Sequence, residues 1–123
     1  MAKERRRAER LQPPESMLLI FDCNQSIIGR IQSISATGVS VVYEDGLCRP
    51  LMDQDILIRI INERRQSDPP HAMRCTPVYD IPTLSHRLTF KGKQMRLFGM
   101  HFNDLSPADR QRIQRWLERS SRV

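Results

Sequence analysis

The chain has 123 residues, enough for one compact domain with a single core and too few for a catalytic domain beside a separate regulatory one. Lysine and arginine outnumber aspartate and glutamate by 20 to 14, mostly through arginine, which favours an anionic partner and planar, bidentate recognition of phosphate or carboxylate. The apolar run Met17-Leu18-Leu19-Ile20-Phe21 ends at Asp22 and is too short to cross a bilayer or to act as a secretory core, so a cytoplasmic protein without membrane insertion is expected.

Taken in chain order, residues 1 to 16 carry Arg5-Arg6-Arg7-Ala8-Glu9-Arg10 and Pro13-Pro14 without apolar periodicity, and read as a flexible, arginine-rich arm. The domain proper is expected over residues 17 to 123. Short stretches rich in Val, Ile, Leu, Phe and Tyr, at 17 to 23, 27 to 34, 38 to 44, 55 to 61, 73 to 80, 86 to 91 and 95 to 102, predict strands. So many short strands at close spacing point to a sandwich or barrel.

Glu44-Asp45-Gly46 and Lys91-Gly92-Lys93 read as hairpin turns, and Gln66 to His71, with Pro69-Pro70, as a longer loop. A helix is predicted over 106 to 120, with Ser106 as N-cap, Pro107 in the first turn and Asp109 where it meets the helix dipole. Ile113, Trp116 and Leu117 share one face, with Trp116 as the expected anchor against the sheet. If Ile27 and Ile31 face the core, strict alternation also turns Ser33 inward, so a bulge between Gln32 and Ser35 is needed to present Ser33 and Ser35 to solvent.

Three patterns stand out: Arg6-x-x-x-Arg10, then Ser33-x-Ser35-x-x-Gly38, followed late in the chain by Gly99-Met100-His101-Phe102 running into the capped helix. In order and spacing they resemble the PilZ domain, a bacterial receptor for cyclic di-GMP, whose pattern is R-x-x-x-R followed by D/N-x-S-x-x-G. The resemblance covers nearly the whole chain. It implies an all-β-dominated fold, a six-stranded antiparallel β-barrel with a C-terminal α-helix packed on it, and no catalysis. It implies that Arg6, Arg10 and a supporting Arg7 bind cyclic di-GMP together with Ser33, Ser35 and Gly38, as the arm closes over the ligand and signals to a downstream protein partner. Ser33 departs from the pattern, which has Asp or Asn there.

The chemistry is coherent in its own right, since a guanidinium fork bonds phosphate oxygens, bonds the O6/N7 edge of guanine and stacks on base faces. Two other readings stay open. A PilZ-like adaptor that has lost the nucleotide would act only by protein contact, as the Ser33 departure suggests. A nucleic-acid module would use the same basic arm, but Phe21, Tyr43, Tyr79, Phe90, Phe98, Phe102 and Trp116 mostly fall at core positions and leave no stacking platform.

No cofactor or metal is expected. Cys23, Cys48 and Cys75 are odd in number and lack a C-x-x-C pair, and His71, His86 and His101 are dispersed, so neither a disulfide framework nor a zinc site is suggested. Asp53, Asp55 and Asp80 lack a nucleophile or base to work with and read as solvated or structural, and Met95 and Met100 as core filler.

Overall fold

A computed structural model of the chain describes residues 11–12, 17–22, 25–46, 48–62, 71–83, 94–118 and 121–122. The elements are β1 (Leu11–Gln12), β2 (Met17–Asp22), β3 (Ser26–Ile34), β4 (Gly38–Glu44), β5 (Ile56–Asn62), β6 (His71–Pro82), β7 (Met95–Asn103), α1 (Pro107–Glu118) and β8 (Ser121–Arg122). All pairings are antiparallel. The order β2-β5-β6-β7-β4-β3 closes through an additional β2–β3 pairing, giving a six-stranded barrel in which each of these six described strands is paired on both sides.

Alternation along the strands builds the interior. Met17, Leu19 and Phe21 of β2, Val39, Val41 and Tyr43 of β4, Ile58 and Ile60 of β5, Met73 and Cys75 of β6, and Phe98 and Met100 of β7 all point inward and are buried. Phe21 sits edge-on to Tyr43 with ring centroids 5.3 Å apart and tilted against Phe98 at 5.1 Å, within the preferred range for aromatic pairs. One end of the barrel is closed by a buried network. Arg96 Nε donates to Asp80 Oδ1 at 3.0 Å, Arg96 Nη2 to the Asp80 carbonyl at 2.8 Å, and the Tyr43 hydroxyl to Asp80 Oδ1 at 2.9 Å.

Helix α1 packs on the same core, and it begins as its sequence predicts. Asp104, at a φ of 50°, turns the chain out of β7. Ser106 Oγ then accepts from the Asp109 amide at 3.1 Å while Asp109 Oδ2 accepts from the Ser106 amide at 3.4 Å, a reciprocal cap. The anchor differs from the expectation: Ile113 is the helix's buried apolar residue, and Trp116 is half-buried at the margin beside Leu117.

The six barrel strands agree with the expected stretches within a few residues. The predicted strand at 86 to 91, the turn at Lys91-Gly92-Lys93 and most of the 66 to 71 loop lie outside the described residues. So does most of the arm expected over 1 to 16, but not all of it: Leu11 and Gln12 form β1, paired with β3 on one side and β8 on the other. Among the described residues, no helix is long and apolar enough to cross a membrane.

Candidate functional site

The hairpin β3–β4 carries the second motif. Its register slips between Ile31 and Ser33, so Ile31 pairs with Val41 and Ser33 with Ser40, the bulge expected near Gln32 to Ser35. After the slip Ile34, Val39 and Val41 stay inward, and Ser33, Ser35 and Ser40 take the outer face of the barrel. The expectation that both serines meet solvent is corrected here. Ser33 and Ser35 are each only 6% exposed, and the Ser33 hydroxyl is bonded to that of Ser40 at 2.7 Å.

Ser35 spends its hydroxyl on the turn. Its Oγ accepts from the backbone amides of Thr37 and Gly38, each at 3.2 Å, while the Ser35 amide donates to the Gly38 carbonyl at 2.9 Å. This locks the tight connection between the strands by the side-chain-to-backbone bonding that makes serine a turn residue. Gly38 has a packing reason. Its backbone is not left-handed; instead, a Cβ there would collide with the Met100 carbonyl oxygen of β7, where Phe102 donates its amide to Thr37 at 2.9 Å. The glycine lets β4 and β7 approach.

Across the barrel wall, Ser33 pairs with Ser40, Ser40 with Gly99, and Gly99 with Tyr79, so four strands contribute to one row on the outer face. A Cβ on Gly99 would strike the Tyr79 ring, which therefore lies across the glycine. The row is a small-residue shelf ended by an aromatic plane. Sequence reading missed Ser40 and Tyr79, although a lone serine between Val39 and Val41 is the kind of break in a β-branched run that marks an outward contact. Beside the shelf, a half-open cleft of about 390 Å³ lies between the turn and the helix, lined by Ala36, Thr37, Phe102, Asp104, Leu105 and Arg110 among others.

Arg6, Arg7 and Arg10 lie outside the described residues. The structure does describe where the chain resumes: Leu11 is the partner of Ile34, directly before Ser35. Of the other titratable groups, Asp80 belongs to the end-closing network, Asp55 accepts from Thr76 Oγ1 and Asn103 Nδ2 at 2.9 Å each, and Asp53 is exposed. Burial pushes the Cys75 thiol up to about 12, helped by the Asp55 charge. Among the described residues, no group of three or more His, Cys, Asp or Glu side chains could hold a metal ion.

Comparison in sequence with curated proteins gives no match. In structure, the chain is similar to the Bacillus subtilis inhibitor of motility MotI/DgrA, with a TM-score of 0.68 and 18% identity over 95% of this chain and 51% of that one. It is similar to the PilZ domain of YcgR from Escherichia coli, solved with c-di-GMP, with a TM-score of 0.67 and 14% identity over 91% and 88%. It is also similar to MrkH from K. pneumonia, solved as a c-di-GMP complex, with a TM-score of 0.70 and 14% identity over 95% and 52%. The chain thus spans about half the length of MotI/DgrA and of MrkH, and at these identities the likeness shows a shared fold. The model of the PilZ domain matches residues 4–119, a span that takes in both arginine and serine-glycine motifs, the whole barrel and the helix, and the chain belongs to the PilZ domain family.

Proposed function

We propose that this PilZ domain is a non-catalytic receptor for cyclic di-GMP, holding the nucleotide between the segment that bears Arg6, Arg7 and Arg10 and the outer face around Ser33, Ser35 and Gly38. The observation that carries this reading is the register of β1. Leu11 pairs with Ile34, the residue before Ser35, and the covalent chain keeps the Arg10 Cα about 3.8 Å from that of Leu11. Arg6, four residues earlier, is tethered within roughly 14 Å of Arg10. Guanidinium groups on such a tether suit a ligand with two phosphates and two guanines.

Binding orders the arginine-bearing segment over the face, and a downstream protein reads the changed surface. Calorimetry against cyclic di-GMP, with cyclic di-AMP and GTP as controls, tests the reading. Arg10→Ala is expected to weaken binding by about 2–5 kcal/mol, the range for truncating one partner of a desolvated charge pair. Equal heats for wild type and variant sink it.

One observation favours a second reading, an adaptor that works without nucleotide. Where the family pattern has Asp or Asn, this chain has Ser33, and its hydroxyl is already held by Ser40. No charged acceptor at that position meets the donor edge of guanine. A neutral acceptor contributes on the order of 1 kcal/mol less than a charged one, so the receptor reading predicts a several-fold weaker site. Absence of any heat with cyclic di-GMP would support the adaptor.

A further inference from the structure

The barrel wall on the other side of β3 carries a second surface. Alternation along β2, β3 and β5 turns Leu18, Ile20, Ile28, Leu57 and Ile61 outward, away from the core residues that flank them. Their registers make them neighbours: Ile28 pairs with Ile20, Ile20 with Arg59, and Leu18 with Ile61. Ile28 is 59% exposed and Leu57 is 54% exposed, while Leu18, Ile20 and Ile61 are half-buried. A contiguous aliphatic face of this kind on a barrel wall marks an interaction site more often than scattered single residues do.

Its border is mainly basic, with two carboxylates confined to the Leu57 end. Arg30 pairs in register with Leu18, Arg59 with Ile20, and Arg74 with Leu57, and all three are exposed. None of them makes an ion pair or hydrogen bond among the described residues. The carboxylates at the Leu57 end, Asp22 and Asp55, line one cleft with it and are already engaged: Asp22 accepts from Ser26 Oγ, and Asp55 from Thr76 Oγ1 and Asn103 Nδ2, each at 2.9 Å. Three unengaged guanidinium groups around an aliphatic centre are complementary to apolar side chains flanked by carboxylates.

We propose that this β3-β2-β5 face docks an acidic, apolar-bearing segment of a partner protein, and so is the output surface of the domain. The proposal deepens the receptor reading by naming the partner's chemistry, but its geometry does not depend on nucleotide binding. A second copy of the chain fits poorly, because a two-fold contact would bring both sets of arginines together on a protein already at +6. An anionic lipid surface fits poorly too: Ile20, Ile28 and Leu57 lie within strands, level with the wall, whereas shallow insertion uses side chains on a protruding helix face.

The test is panning a phage-displayed library of short random peptides on the wild-type protein, then titrating the enriched peptides into isotope-labelled protein by NMR. Enriched peptides are expected to combine aliphatic or aromatic residues with Asp or Glu and to shift amides of Leu18, Ile20, Ile28 and Arg59. Ile28→Glu and, separately, Arg59→Glu should each weaken binding by about tenfold or more, as loss of a central contact does. Both residues are exposed, and an unchanged melting temperature checks the fold of each variant. No enrichment, enrichment without acidic preference, or shifts confined to other faces overturns the proposal. So does binding to phosphatidylserine vesicles that the same variants abolish while peptides do not bind. Calorimetry with cyclic di-GMP on the same samples reports on the receptor reading separately, so either can fail alone.

Discussion

Gly38→Ala separates two explanations of a motif glycine. If the residue serves only to let a ligand approach, the alanine variant keeps its stability and loses affinity. The structure says otherwise: the new methyl would collide with the Met100 carbonyl oxygen, a backbone atom fixed in the β4–β7 ladder from Gly38↔His101 to Glu44↔Met95. It cannot swing aside, so the strands must separate locally and strain the Phe102-to-Thr37 hydrogen bond of 2.9 Å. Overpacking of this sort costs about 1–3 kcal/mol. For 123 residues, an unfolding entropy of about 2.1 cal/mol/K per residue makes that a fall in Tm of roughly 4–12 °C without any ligand. Gly99→Ala is the internal control, since there the methyl meets the Tyr79 ring, a side chain that can rotate away, and a smaller fall is expected. Thermal unfolding by circular dichroism, with ligand absent, reads both. An unchanged Tm for Gly38→Ala would refute the strand-approach account and return the glycine to the ligand.

Burial and the Asp80 carboxylate hold the Tyr43 phenol above its ordinary range, so its native-state contribution is intact below about pH 10 and is lost as pH rises further, when the unfolded chain ionises first. Tyr43→Phe should therefore show a shallower alkaline loss of stability than wild type in urea titrations across that window; parallel curves would exclude the linkage. Ser106→Ala removes the acceptor for the Asp109 amide and should cost about 1 kcal/mol in urea unfolding, and a change within error would mean the helix start is held by packing alone. Cys75, with its thiol raised to about 12 and fully buried, should react with a thiol reagent only as fast as the barrel opens, slowing in step with added stability. Reaction at the rate of an exposed thiol would contradict its placement.

Strand existence was legible because alternation and β-branched runs are local signals, and the helix was legible because Ser106, Pro107 and Asp109 sit within one turn. The bulge was legible because inward Ile27 and Ile31 would, by strict alternation, also turn Ser33 inward, and the register slips there, between Ile31 and Ser33. The direction of the serines after it was readable, but their burial was not, because that depends on Ser40 across the hairpin. The end-closing network joins Tyr43, Asp80 and Arg96, residues 37 and 16 apart in the chain, and carries no local signature. β1 and β8 are two residues each, too short for any periodicity, and only the folded barrel gives them partners.

β1 has a further consequence. Because Leu11–Gln12 lies between β3 and β8, it is a middle strand, and leaving it breaks hydrogen bonds on both sides. In the proposed receptor, Arg6, Arg7 and Arg10 meet the barrel face as part of the same chain, at an effective concentration fixed by the few residues before Leu11, on the order of millimolar for a short linker. A peptide break before Leu11 would turn the same arginines into a dilute solute while leaving β1 paired with β3 and β8.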